Sequence, residues 1–157
     1  MHKTQNDLPE QTRAKVTEIL NARLADSIDL MHQAKQAHWN VKGPSFIALH
    51  KLFDEIVDAA EEYMDLLAER VVQLGGMAEG TIQVATKRTE LKEYPLHISH
   101  EGDHIVALSS VLAAYGKSAR GAIDQTDELG DRDTADIFTE ISRGVDKYLW
   151  FIEAHIG

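Results

Sequence analysis

The sequence contains no cysteine among its 157 residues, which excludes disulfide bonds and metal sites built on thiolates. It also lacks an apolar run of membrane-spanning length, and the N-terminal stretch MHKTQNDLPEQTR has no apolar core like that of a secretory leader. We therefore expect a chain that is neither secreted nor inserted in a membrane. The compartment expected for it is the cytoplasm.

Basic residues are the minority among the charged ones. Lys and Arg number 16 against 26 Asp and Glu, so the net charge is −10. This sign is unfavourable for a dedicated nucleic-acid binder and favourable for attracting cations. The length suits one domain with a substantial core. We predict a single domain over residues 1–157, with a short tail at residues 1–8.

Apolar residues recur at intervals of three and four through most of the chain, and this period predicts helices rather than strands. The first helix is predicted from about Pro9 to His38, and the second from the Gly43-Pro44 break to Gly75-Gly76. Residues Met77–Leu96 lack a long period and are predicted to be a connection with room for a short helix. Two more helices flank DELGDRD. The predicted fold class is all-α, a ferritin-like four-helix bundle with a long crossover between the second and third helices.

Two pairs of potential metal ligands share one face of the second predicted helix. His50 and Asp54 form the first pair, and Asp65 and Glu69 form the second. The two pairs lie roughly 16 Å apart along the helix axis, so one copy of the helix cannot close a metal site. A second copy, antiparallel across a two-fold axis, would bring Asp65 and Glu69 beside His50 and would create two identical sites. His38, just before the turn into this helix, is placed to join the His50 end.

The types of side chain in this predicted site limit which metal ions could bind there. Imidazoles with carboxylates and no thiolate suit iron(II), manganese(II) or zinc, and two His with three carboxylates leave open positions for an oxidant. Iron in a redox role is therefore favoured over a closed structural site, with zinc or manganese as competitors. Either pair alone is more often a solvated helix face than a pair of ligands. The combination of both pairs with His38, at fixed offsets in the sequence, favours the metal site.

The same residues carry a resemblance to a known family. HWN at residues 38–40, the ligand pairs described above and the following VQLGG resemble the ferroxidase signature of the Dps family, the DNA-binding proteins from starved cells. The resemblance extends to YPL at residues 94–96, to DTADIF and to the closing DKYLWFIEAHI. It implies a hollow shell of twelve subunits, built from two-fold dimers, that oxidises iron(II), preferably with hydrogen peroxide, and stores the iron(III) mineral, protecting DNA from oxidative damage.

The resemblance also assigns the ligands to subunits. One subunit would supply His38, His50 and Asp54. Its two-fold mate would supply Asp65 and Glu69. It further implies that three aspartates line a pore on a three-fold axis and draw iron(II) inward, namely Asp127, Asp131 and Asp136. Stability alone offers another explanation for these aspartates, since helix N-caps and first turns favour negative charge.

The sequence gives weaker indications of a role for several other side chains. Trp39 could give up an electron beside an iron–peroxide site or pack a dimer interface, and both interpretations stay open. Arg70 is expected to pair with one of the site carboxylates and orient it. His97, His100 and His104 could hold a surface metal, although solvated side chains near a helix start are expected instead.

Two other functions compete with iron oxidation. One is a nucleoid-associated DNA-binding protein with secondary metal binding, and the other is a structural oligomer without chemistry. Family members that bind DNA usually do so through a mobile basic tail, whereas residues 1–15 hold only Lys3, Arg13 and Lys15 against two acidic residues. We therefore expect weak or absent DNA binding, and His2 receives no role. A purely structural oligomer would leave the spacing of the five ligands unexplained.

Overall fold

Five α-helices make up the fold in the computed structural model, which describes residues 1–156. They are α1 (Glu10–Asn40), α2 (Phe46–Gln73), α3 (Ile82–Arg88), α4 (Glu101–Glu128) and α5 (Arg132–Glu153). Across the described residues no strand forms, and the only β pairing is an isolated bridge between Lys42 and His100. The all-α prediction is confirmed, and the crossover between α2 and α4 does contain a short helix. That residues 1–157 form one domain stays a prediction.

The four long helices enclose one apolar core. α1 packs mainly against α2, and α4 packs mainly against α5. The largest side chains at the centre are fully buried and come from all four helices, among them Leu20, Phe53, Tyr115 and Phe138. The Tyr115 hydroxyl is hydrogen-bonded to the Ser27 hydroxyl at 2.6 Å, so its polar end is satisfied inside the core.

The crossover is fastened to α1 by a buried acid. Asp26 is fully buried, accepts a hydrogen bond from the backbone N–H of Glu90 at 2.8 Å and lies 2.8 Å from the Arg23 guanidinium. Burial raises the pKa of Asp26, while the Glu90 hydrogen bond and the Arg23 charge act in the opposite direction. These contacts hold the long connection beside the bundle.

The N-terminal segment lies against the end of α2. The His2 N–H donates to the Gly75 carbonyl at 2.7 Å, and the Arg13 guanidinium donates to the carbonyls of Leu74 at 2.8 Å and Leu8 at 3.0 Å. Arg13 is consequently only 8% exposed. One of the three basic groups near the N-terminus is thus committed to the fold.

None of the helices in residues 1–156 combines the length and the apolar character needed to cross a bilayer.

Candidate metal centre

The two histidines of the predicted site are held as a pair. His38 Nδ1 lies 2.7 Å from the backbone oxygen of His50, and His50 Nδ1 lies 2.8 Å from the backbone oxygen of His38. A carbonyl oxygen only accepts, so each Nδ1 carries the proton, and the Nε2 lone pair of each ring is left for a metal. The rings stack with 3.7 Å between their centroids. Tautomer and ring orientation are therefore set by the fold, in the way that metal-binding histidines require.

Asp54 lies beside this histidine pair. Its Oδ1 is 3.8 Å from His38 Nδ1 and 2.5 Å from Lys35 Nζ. The hydrogen bond from Lys35 is the main reason that the pKa of Asp54 lies below its ordinary value. The carboxylate is ionised at neutral pH and is 44% exposed. An incoming cation can reach it but must compete with the Lys35 ammonium.

Asp65 and Glu69 lie farther along α2, and both are exposed. On a straight helix, Asp65 is about 16 Å from Asp54. Within residues 1–156 of one subunit, no three His, Asp or Glu side chains are grouped closely enough to hold a metal ion. The five predicted ligands could therefore meet only with a second copy of the chain, and the two-fold arrangement stays a prediction.

Arg70 does not pair with a site carboxylate of its own subunit, so that expectation is wrong within one chain. Its Nη2 lies 2.9 Å from Asp131 Oδ1, and its Nε donates to the Thr134 hydroxyl at 2.9 Å. A single step along a helix rotates a side chain by about 100°. Arg70 is thereby turned into the interface with α5, while Glu69 faces solvent.

Asp131 is likewise not a pore residue. It is the N-cap of α5, and its carboxylate accepts from the Thr134 N–H at 3.0 Å and from the Thr134 hydroxyl at 2.6 Å. Since this side chain is only 2% exposed, the stability explanation is the correct one for it. Asp127 and Asp136 are exposed, and their place in a pore stays a prediction.

The remaining candidate side chains are exposed, except for that of His104, which is buried. Trp39 is 66% exposed, and both of its suggested roles stay predictions. His97 and His100 are exposed, and His100 caps α4 by accepting from the Gly102 N–H at 3.1 Å. His104 was expected to be solvated but is 1% exposed, with its Nδ1 hydrogen-bonded to the Tyr94 hydroxyl at 2.8 Å. Burial lowers the pKa of His104, which keeps the ring neutral.

Sequence reasoning missed Lys35 as the partner of Asp54. Lys35 lies three residues before His38, which places the two on the same side of α1. This spacing indicates that Lys35 lies near the predicted metal site. It could not show that the ammonium reaches across to α2.

Comparisons with known proteins agree with this architecture. Residues 17–157 match the family model of the ferritin-like domain. The DNA protection during starvation protein of Agrobacterium fabrum is 50% identical over 155 residues, covering 99% of this chain and 96% of that protein. The protein of the same name from Brevibacillus brevis is 31% identical over 90% of this chain and 94% of its own length.

Solved structures show the same likeness. Dps of Mycobacterium smegmatis in a tetragonal form superimposes with a TM-score of 0.93 at 28% identity, covering 98% of this chain and 94% of that one. Dps from Microbacterium arborescens in the high iron form has a TM-score of 0.88 at 34% identity and covers 99% of both chains.

Proposed function

Because the chain belongs to the Dps family of ferritin-like proteins, we propose that it is a ferroxidase that oxidises iron(II) and stores the iron(III) product in a hollow homododecamer. The DNA protection named for its relatives would follow from removing iron and peroxide together. The proposed compartment is the cytoplasm, with nucleoid association as the alternative.

The observation that carries this proposal is the reciprocal hydrogen bonding of His38 and His50. Two imidazoles with free Nε2 atoms beside the ionised Asp54 form one half of a nitrogen and oxygen donor set. Asp65 and Glu69 of the partner subunit would supply the other half. A donor set of this kind, with open positions, suits iron(II) better than a closed structural metal. Zinc and manganese would compete for the same atoms.

For this reaction the protein has to bind and orient iron(II) and hydrogen peroxide, and protons have to be supplied. Two iron(II) ions give one electron each to hydrogen peroxide, and with two protons the peroxide becomes two water molecules. Both electrons leave together, so no hydroxyl radical is released. The imidazoles and carboxylates hold the iron, and the exposure of Asp54 leaves a route for peroxide and water.

The overall charge supports delivery of the substrate. Each subunit carries a net charge of −10, which raises the local concentration of cations around an assembled shell. Asp127 and Asp136 are exposed near the turn between α4 and α5, where a ring of carboxylates would attract iron(II). This pore belongs to the proposal and depends on the proposed three-fold assembly.

Crystals soaked in iron(II) without oxygen test the site directly. We expect anomalous scattering from iron between the His50 side chain and Glu69 of the partner subunit, since the two halves of the donor set meet only there. Adding peroxide to the same loaded protein should consume about one peroxide for each pair of iron ions. Iron held elsewhere, by residues of one subunit alone, would contradict the proposal.

DNA binding is expected to be weak or absent at neutral pH. Arg13 is buried against Leu74, which leaves Lys3 and Lys15 near the N-terminus to contact phosphates. Affinity for DNA scales with the number of phosphates neutralised, so a few contacts are lost at about 0.15 M salt, although avidity across many tails could offset part of the loss. Retardation of plasmid DNA in a gel measures this.

A positive control can be built on the same segment. Gln5 and Asp7 are exposed, and changing both to Lys raises the positive charge without touching the buried Arg13. This variant should retard plasmid at salt concentrations where the parent does not. Condensation of plasmid by the parent protein at about 0.15 M salt would contradict the prediction.

A further inference from the structure

The turn between α1 and α2 is held by the start of α4. Residues 41–45 form this turn and join the two helices that carry the paired imidazoles. The Lys42 N–H donates to the Ser99 carbonyl at 2.8 Å, and the Glu101 N–H donates to the Lys42 carbonyl at 2.9 Å. The Glu101 side chain then reaches back, and its Oε2 accepts from the Ser45 N–H at 2.7 Å. Three hydrogen bonds therefore fix the turn to a helix distant in sequence.

The Glu101 carboxylate, which comes from α4, acts as the capping acceptor at the start of α2. Ser45 is the N-cap of α2 but makes no side-chain capping bond, and the first turn of Phe46–Gln73 contains no acidic residue. The first N–H groups of a helix lack partners within it and carry partial positive charge. Glu101 supplies both an acceptor and a negative charge at this place. The position of the α2 terminus is thus set by a residue of α4.

Gly43 leaves the room that the carboxylate needs. A Cβ atom built on Gly43 would overlap Glu101 Oε2, and its φ of +152° is one that residues with a side chain rarely adopt. A glycine here serves the close approach of Glu101 to the turn.

The imidazole geometry depends on how the two helix ends are placed. His38 Nδ1 is bonded to the backbone of α2, and His50 Nδ1 is bonded to the backbone of α1. A relative shift of about 1 Å would lengthen both hydrogen bonds beyond their useful range and release both rings. We propose that Glu101 is a positioning residue for the metal centre, holding the α1–α2 turn so that both Nε2 atoms keep their alignment. This inference rests on the proposed function, and Glu101 itself touches no metal.

Cobalt(II) binding to the assembled protein tests the role of Glu101. In Glu101→Ala the acceptor for the Ser45 N–H is lost, and we expect cobalt(II) to bind about 10-fold more weakly, with an altered d–d absorption spectrum. In Glu101→Gln the amide oxygen can still accept that bond, so binding within about twofold of the parent is expected. Iron(II) oxidation by Glu101→Ala should show a raised KM with a smaller change in kcat.

Asp103 offers a matched control. It is the other acidic residue in the first turn of α4 and is exposed. Asp103→Ala removes a carboxylate from the same helix end while leaving the Ser45 hydrogen bond in place. Its cobalt(II) affinity should equal that of the parent.

The outcomes separate the inference from the proposed function. A parent protein that binds no cobalt(II) and oxidises no iron overturns the proposed function and this inference with it. A parent that binds cobalt(II), with Glu101→Ala binding equally well, overturns the inference alone, and so does an equal loss in Glu101→Ala and Glu101→Gln. If Glu101→Ala does not assemble, Gly43→Ala displaces the carboxylate instead, and unchanged cobalt(II) affinity in that variant overturns the inference.

Discussion

Replacing His50 and Asp54 together with alanine is expected to slow peroxide-driven iron(II) oxidation by about 100-fold or more, with the oligomer still assembled. The two side chains would be lost from both sites of a two-fold dimer, which leaves too few donors to hold iron. Neither side chain belongs to the buried core, and Asp54 is 44% exposed. The proposed assembly is expected to rest on larger apolar surfaces instead. Stopped-flow absorbance gives the rate, and size-exclusion chromatography gives the oligomeric state.

A control of matched composition uses His32 and Glu55. His32 lies on α1 and Glu55 lies on α2, and both are exposed and outside the predicted ligand set. The double alanine variant at these positions should oxidise iron at the rate of the parent. A parental rate in the His50 and Asp54 variant would show that the site is assigned wrongly, and loss of the oligomer would show that these residues mainly hold an interface.

The fold could be predicted because its signal is local. Apolar residues spaced by three and four define each long helix, and the first helix ends at Asn40, two residues beyond the predicted His38. The family resemblance is confirmed by the family match over residues 17–157 and by the identity with relatives along nearly the whole chain. His104 was misjudged, although it precedes the buried Leu108 by four residues and Val111 by seven, so the same period places it on the apolar stripe.

The errors at the site come from contacts between distant segments. Arg70 adjoins an acidic residue in sequence, but its long side chain reaches Asp131, 61 residues away. The support given by Glu101 to the α1–α2 turn spans 56 residues. Neither contact leaves a periodic pattern, because side-chain direction at a helix end is decided by the neighbouring helix.

The proposed sharing of ligands between subunits can be tested by a complementation experiment. His50→Ala damages the histidine end of a site, and Glu69→Ala damages the carboxylate end. In a dimer with one subunit of each kind, both losses fall in the same site and the other site is intact. Random mixing makes about half of the dimers mixed, so roughly a quarter of all sites should be complete.

Co-expressed His50→Ala and Glu69→Ala subunits should therefore recover about a quarter of the parental iron oxidation rate, whereas each variant alone remains far below it. The control pairs His50→Ala with Asp54→Ala, whose losses lie at the same end of the site. Every site in that mixture draws its histidine end from a damaged subunit, so no recovery is expected. Equal recovery in both mixtures would contradict the two-fold arrangement. A site built within one chain would show no recovery in either mixture, because each damaged subunit would carry its own loss wherever it is placed.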